Sequence, residues 1–277
     1  MHTCRTRTLI EEVPTDGHSP MKFLCDDGNL YYCKYRIRSN AIELDFLAYE
    51  VISHTILRTL NLPTPDVALV EVQAGSYRPD QLLANRRFIK PGIICFGSRA
   101  LSHADLVRQT EAICSTRAFK RLLNPTDLIR LAVFDLWTDN IDRGRAFEGG
   151  YNYNLLRVPH EGKIQFVAFD NAFTFGGENG LRIFNPDWPL LPQNRLFNSP
   201  YYKAVVKHIT PSRRFTVAND CLSLCYERGK QAIYTAFASL PPSWGTPPSL
   251  RARMVDFLLN DQRRIAIQTL LNQSIPF

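Results

Sequence analysis

The sequence predicts an α+β fold in two lobes, a small β-rich lobe over residues 1–92 and a larger, mainly helical lobe over 93–277. Three observations predict it. Apolar and aromatic residues flank Asp27-Gly28, a pair that supplies the positive φ of a tight hairpin turn. Beyond Pro91-Gly92 the apolar residues change to helical spacing. With 277 residues, 45% of them hydrophobic and 21% charged, the chain is long and apolar enough to bury a core beneath both kinds of element.

Taken in order, Met21 to Asp26 and Leu30 to Tyr35 read as antiparallel strands joined by that turn. Asn40 stands three residues before Glu43 in a capping-box arrangement, and Leu44, Leu47, Val51 and Ile52 follow at helical spacing. A helix is expected from there to near Leu60. Leu62-Pro63-Thr64-Pro65 stops it, because proline has no N–H to continue the ladder, and Val67 to Val72 reads as a strand with Arg86 to Ile89 as its partner. Ser102 to Leu123 carries a helical pattern, and Asn124-Pro125 resembles an N-cap followed by proline at the first helical position, ahead of Leu128 to Trp137. Leu155 to Val158 and Ile164 to Phe169 form a hairpin that turns through Glu161-Gly162. Asn171 to Pro200 is aromatic and proline-punctuated. Thr210-Pro211 opens another helix, and Ser249 to Asn272 reads as one closing amphipathic helix.

A net charge of +7 and a pI near 9.1 favour phosphate-bearing ligands. The basic residues are scattered, however, and Arg143-Gly144-Arg145 and Arg263-Arg264 are short clusters, so no specific nucleic-acid partner is expected. The seven cysteines are odd in number and lack a secreted-type framework, which fits a reducing cytoplasm. Cys221 and Cys225 share a helix face, but no CxxC or paired His completes a zinc set around them, and they read as core residues. Met1 to Val13 has no signal-peptide hydrophobic region, and the apolar patch Leu128 to Trp137 is interrupted by Arg130 and Asp135 and is too short for a bilayer. No membrane association is expected.

The chemistry concentrates between Asp142 and Asp170. Phosphoryl transfer needs a carboxylate to orient the attacking group, plus an amide oxygen and a second carboxylate to hold magnesium against phosphates. Asp142 follows the apolar helix on a turn and is the candidate base, although Asp139 and Asn140 are equally polar neighbours. Asn152 and Asn154 alternate along a strand, so one of them faces the metal. Asn152 is favoured, and Asn154 reads as a turn amide. Asp170 closes the apolar run Ile164 to Phe169, placed either to bind metal or to cap the next loop. Upstream, Lys34 lies in an otherwise aromatic strand, from which it either snorkels to water or reaches a phosphate. Glu50 sits at the edge of the helical stripe, where it pairs with Lys34 or faces solvent. Gly17, His18 and Ser19 form a small loop whose N–H groups can cover phosphates, or a plain turn.

These residues resemble the HipA-like kinases, members of the protein-kinase-like superfamily that also includes the phosphatidylinositol kinases. Gly17-His18-Ser19-Pro20 looks like the family's phosphate loop, Asp26-Asp27-Gly28 to Lys34 like its lysine strand, and Glu50 with Leu62-Pro63-Thr64-Pro65 like its regulatory helix and exit. Phe134 to Arg143 is similar to its catalytic-loop start. Asn152-Tyr153-Asn154-Leu155-Leu156 and Asp170 resemble its metal-binding segments. The resemblance implies a bilobal protein-kinase-like fold and an ATP- and magnesium-dependent phosphotransferase. A Ser/Thr protein kinase with a protein substrate is favoured, in a toxin–antitoxin setting with an antitoxin partner. A small-molecule or lipid-headgroup kinase and a pseudokinase interaction module are the alternatives. Two departures stand out. Asn152 follows Asp142 by ten residues where kinase catalytic loops use five, so Arg145 to Gly150 looks inserted, and Asp170 is followed by Asn171-Ala172 in place of Phe-Gly.

Overall fold

A computed structural model describes residues 1–15, 19–36, 42–176, 190, 192–193 and 195–274. Strands dominate the N-terminal part and helices the C-terminal part. The chain opens on β1 (His2–Glu12), β2 (Met21–Cys25) and β3 (Leu30–Lys34), then α1 (Ile42–Thr59), β4 (Val67–Glu71) and β5 (Ile94–Arg99). These five strands close into a barrel in the order β1-β2-β3-β5-β4, with β1 and β4 parallel where they meet. Closure leaves no free edge. Inside it pack Cys4, Met21, Phe23, Cys25, Tyr31, Cys33, Val70 and Cys95. The hairpin expected at Asp27-Gly28 is present, with Gly28 at φ 78° and the Asp27 carboxylate accepting the Asn29 N–H.

β1 was not among the expected strands. Register shifts between Thr6 and Thr8 and between Leu9 and Glu11 break its period of two, so its buried residues Cys4, Thr6 and Leu9 show no simple alternation. The expected pairing of Arg86 to Ile89 with Val67 to Val72 is also corrected. β4 pairs with β5, and the 83–89 stretch instead folds around Glu12, whose carboxylate accepts the N–H groups of Leu83, Ala84 and Asn85. Pro91-Gly92 leads into the sheet. Gly92 N–H donates to Val72 O and Val72 N–H to Ile93 O, so the β-rich part runs on to Arg99 and the change to helices comes after it.

Next come β6 (Asp105–Leu106), α2 (Thr116–Lys120), α3 (Asp127–Trp137), β7 (Ala146–Phe147), β8 (Gly150–Tyr151), β9 (Leu155–His160) and β10 (Lys163–Ala168). Ser102 to Leu123 is therefore helical only over α2. Its first half is drawn onto the sheet, where β6 pairs with β9 and Val107 N–H reaches Leu155 O, and Ser115 caps the short helix that remains. Tertiary pairing overrides the local pattern. Asn124 does not cap α3, which begins after Thr126. Its side chain instead accepts the Phe166 N–H and donates to the Phe166 carbonyl of β10. The hairpin β9–β10 turns through Glu161 and Gly162, both at positive φ, as expected.

α4 (Pro200–Val206), α5 (Pro211–Phe237), α6 (Pro248–Leu258) and α7 (Asp261–Ser274) complete the fold. The single closing helix expected over Ser249 to Asn272 is two helices, because Asn260 accepts the Arg263 N–H through its side chain and restarts the chain as α7. Among the described residues, no helix is long and apolar enough to cross a membrane. All seven cysteines are buried and free. α1, α3 and α5 enclose the larger core, and a smaller one, with Leu47, Val51, Leu69, Phe96 and Trp244, joins α1 to the barrel wall.

Gly229 of α5 lies against Trp137, the last residue of α3. A Cβ there would stand 2.5 Å from the indole ring, which cannot swing away because its Nε1 donates to Leu258 O. Overpacking outweighs the ~1 kcal/mol that alanine gains over glycine in a helix. Gly229→Ala is expected to lower stability by about 1–2 kcal/mol, read as a lower urea midpoint with unchanged slope.

Candidate active site

The turn after α3 is built from the helix end outward. The Leu136 and Trp137 carbonyls accept from Arg263 Nη2 at 2.9 and 3.0 Å, which satisfies acceptors that the helix leaves free. Asp139, at φ 53°, is committed to Arg195 at 2.6 Å, and the same guanidinium donates to the Asn140 carbonyl. Asn140 donates to Asp135 and accepts the Asp142 N–H. The three polar residues of the turn are thus separated by their partners. Asp139 and Asn140 hold the turn, and Asp142 faces the following hairpin.

Asp142 Oδ2 accepts a hydrogen bond from Asn154 Nδ2 at 2.8 Å, and the Asn152 side chain lies close enough to favour the charged carboxylate as well. The expectation that only one of them points to the site fails for a backbone reason. Asn154 has φ 43°, in the left-handed region, so the strand's alternation is broken at that residue. Asn154 Nδ2 also reaches the Asp170 carbonyl at 3.3 Å. The inserted residues fold into the β7–β8 hairpin, with Ala146 opposite Tyr151 and Gly149 at φ 97°. Gly144 N–H bonds to Asn152 O and Asn152 N–H to Arg145 O, so the hairpin closes at its base. Ten residues of separation therefore collapse to a direct contact. Gly144 itself requires glycine, because at φ 90° a Cβ would lie 2.4 Å from the Leu196 nitrogen.

Lys34, at the end of β3, lies 2.6 Å from Glu50 Oε1 of α1 and 2.9 Å from Asp170 Oδ1. The second Glu50 oxygen accepts the Asn171 N–H at 2.8 Å. Burial disfavours the charge on Lys34, yet the Asp170 and Glu50 carboxylates outweigh it and hold the ammonium well above its ordinary range. Burial pushes Glu50 up against the pull of Lys34. With Lys34 firmly protonated and a backbone donor on its other oxygen, Glu50 is the anion of an ion pair. The Asp142 carboxyl is raised by burial and by the nearby Asp170 charge, which the two asparagines only partly offset.

Sequence reasoning missed the brace behind these groups. Arg143 is fully buried; its Nη1 lies 3.1 Å from Asp135 and its Nη2 donates to Phe169 O and to Asn171 Oδ1. Phe169 and Asn171 flank Asp170, so one guanidinium ties the Asp142 turn to the Asp170 turn. An aspartate amid the apolar residues of α3 was the available signal, since a buried carboxylate demands a partner. Ser53 of α1 bonds to Thr174, and Tyr49 packs edge-on to Phe175, which fixes the segment beyond Asp170 to the same helix.

The structure thus brings Lys34, Glu50, Asp142, Asn152 and Asp170 into one cluster. Gly17 and His18 lie outside the described residues. Ser19 is buried at φ 40°, and its hydrogen bonds among the described residues go to Thr15 and Asn85 rather than to the cluster. Two carboxylates and two amides offer only oxygen ligands, the donor set of a hard cation such as magnesium, and Lys34 adds a cationic centre suited to a phosphate.

The model of one family, described as HipA-like kinase, matches residues 10–216. No curated protein matches the chain.

Proposed function

Because the chain belongs to the HipA-like kinase family and so is a kinase-type phosphotransferase, we propose that it transfers the γ-phosphoryl group of ATP to a serine or threonine hydroxyl of a protein. In this reading the barrel with α1 and the helical part are the two lobes of a kinase-like fold, divided after Arg99 instead of at Pro91-Gly92. ATP lies between them. The toxin–antitoxin setting, an antitoxin partner and a cytoplasmic location belong to the same proposal. The observation that carries it is the convergence of Lys34 and Glu50 on Asp170, beside Asp142.

Magnesium, when bound, draws charge from the phosphates. Asp170 would hold it, together with an asparagine amide oxygen. Lys34, kept charged by Glu50, takes a phosphate oxygen. Asp142 orients the acceptor hydroxyl and takes its proton as the oxygen bonds to phosphorus and the bond to ADP breaks. The phosphate-covering role expected of Gly17 and His18 stays with this proposal, whereas buried Ser19 bonds to Thr15 and Asn85.

The geometry favours Asn154 over Asn152 as the metal amide, since Asn154 touches both Asp142 and the Asp170 backbone. Asn154→Ala is expected to raise the magnesium concentration for half-maximal activity by roughly tenfold or more, and Asn152→Ala by less. A magnesium titration of the two variants checks this, and the reverse order would return the role to Asn152. The function itself is tested by incubating the protein with γ-labelled ATP, magnesium and a cell lysate. Label in protein bands supports the proposal. Label confined to small molecules supports a metabolite or headgroup kinase, and nucleotide binding without turnover supports a pseudokinase.

A further inference from the structure

The barrel carries a second cluster of ligand-type side chains, in and beside the turn that precedes β3, at the opposite end of that strand from Lys34. His2, Cys4 and Asp27 bring a ring nitrogen, a sulfur and a carboxylate oxygen within 4.8 Å of one another. His2 Nε2 and Asp27 Oδ2 are 3.2 Å apart. Three protein ligands leave the fourth position of a tetrahedral ion to water. The barrel topology makes this juxtaposition. β1 delivers His2 and Cys4 to the end of β2, where Cys25 is the last strand residue and Asp27 stands in the turn that follows.

We propose that His2, Cys4 and Asp27 form a zinc-binding site that fastens the start of β1 to the β2–β3 turn. One thiol, one imidazole and one carboxylate are three ligands of a tetrahedral zinc site, and the mixture of soft sulfur with nitrogen selects against magnesium or calcium. Bonds of about 2.0–2.3 Å put tetrahedral ligands roughly 3.5 Å apart, so the cluster closes on the ion with a contraction of about an ångström. Asp27 is already oriented for this. Its Oδ1 accepts the Asn29 N–H at 3.0 Å and its Oδ2 accepts the Tyr31 hydroxyl at 2.8 Å, which fixes the carboxylate while the His2 contact is the one a cation would replace. The Cys4 thiol is buried, whereas the His2 side chain is 55% exposed and leaves a way in for the ion. Binding releases the Cys4 thiol proton, so affinity falls as the pH is lowered. The site shares no residue with the Lys34–Asp142–Asp170 cluster, and the inference stands independently of the phosphotransferase reading.

The test uses the full chain, stripped with a chelator and titrated with cobalt(II), then zinc(II). One equivalent of cobalt should produce a thiolate-to-cobalt charge-transfer band that zinc abolishes, and zinc should raise Tm by about 5 °C at a hundredfold excess over its Kd. His2→Ala, a surface change that leaves the barrel core intact, should weaken cobalt binding at least tenfold, and Cys4→Ser should remove the band. Cys221→Ser should leave both unchanged. Absence of a saturable band, or a band that persists in His2→Ala and Cys4→Ser but disappears in Cys221→Ser, overturns the site and returns Asp27 to a turn-forming role alone.

Discussion

Asp142→Asn is expected to leave the protein folded while lowering phosphoryl transfer by about 10²–10⁴-fold, the usual contribution of a positioned general base. Asparagine keeps the shape of the side chain and an oxygen that still accepts from Asn154 Nδ2, but it cannot take a proton. Asp139→Asn is the matched control. Asp139 already engages Arg195 at 2.6 Å, so its loss should appear as lowered stability of the turn with chemistry retained in the folded fraction. The pH dependence supplies a second readout. Burial and the Asp170 charge raise the Asp142 pKa above its ordinary 3.8, so activity should rise with pH along a limb whose midpoint lies above that value, as the carboxyl loses its proton and becomes a base. The limb should be absent in Asp142→Asn. Activity that survives in Asp142→Asn and vanishes in Asp139→Asn would sink the assignment.

What the sequence made legible was local chemistry with a fixed reach. Asp27-Gly28 and Glu161-Gly162 required their turns, Thr210-Pro211 opened α5, and the proline pair after Leu62 ended α1 near Thr59. The alignment of Lys34 with Glu50 was readable because a strand and the helix after it can bring such residues together. Elements that depend on distant partners were not readable in this way. β1 is bulged and pairs with both β2 and β4, and β5 lies beyond a Pro-Gly pair that normally marks a boundary. Asn154 was passed over because alternation was assumed through a residue whose φ is positive. Arg143 was read as part of a short basic cluster, since nothing in its neighbours reveals that Asp135, Phe169 and Asn171 enclose it.

Arg143→Met is expected to lower stability by about 3–5 kcal/mol, because it strands a buried carboxylate that its partner now neutralises. Asp135 is 1% exposed, and its Oδ2 already has no hydrogen-bond partner, so it cannot turn to water. Burial raises its pKa to about 6 despite the opposing charge of Arg143. The folded-state value lies above the unfolded one near 3.8, so the stability contributed by Asp135 is fully present below that lower value. It is lost as pH rises through about 6. Without Arg143 the charge opposing burial is gone, the folded value climbs further, and the loss continues to higher pH. The deficit of Arg143→Met in urea midpoint should therefore be larger at pH 7 than at pH 5, and Asp135→Asn in the same chain should recover much of it by removing the charge. Catalysis should fall as well, even in the folded fraction, because Phe169 O and Asn171 Oδ1 lose their donor and Asp170 its fixed position between them. Equal deficits at the two pH values would mean that Arg143 acts by packing its side chain and not by holding the Asp135 charge. Unchanged activity per folded molecule would mean that Glu50, through its 2.8 Å bond to the Asn171 N–H, suffices to place Asp170.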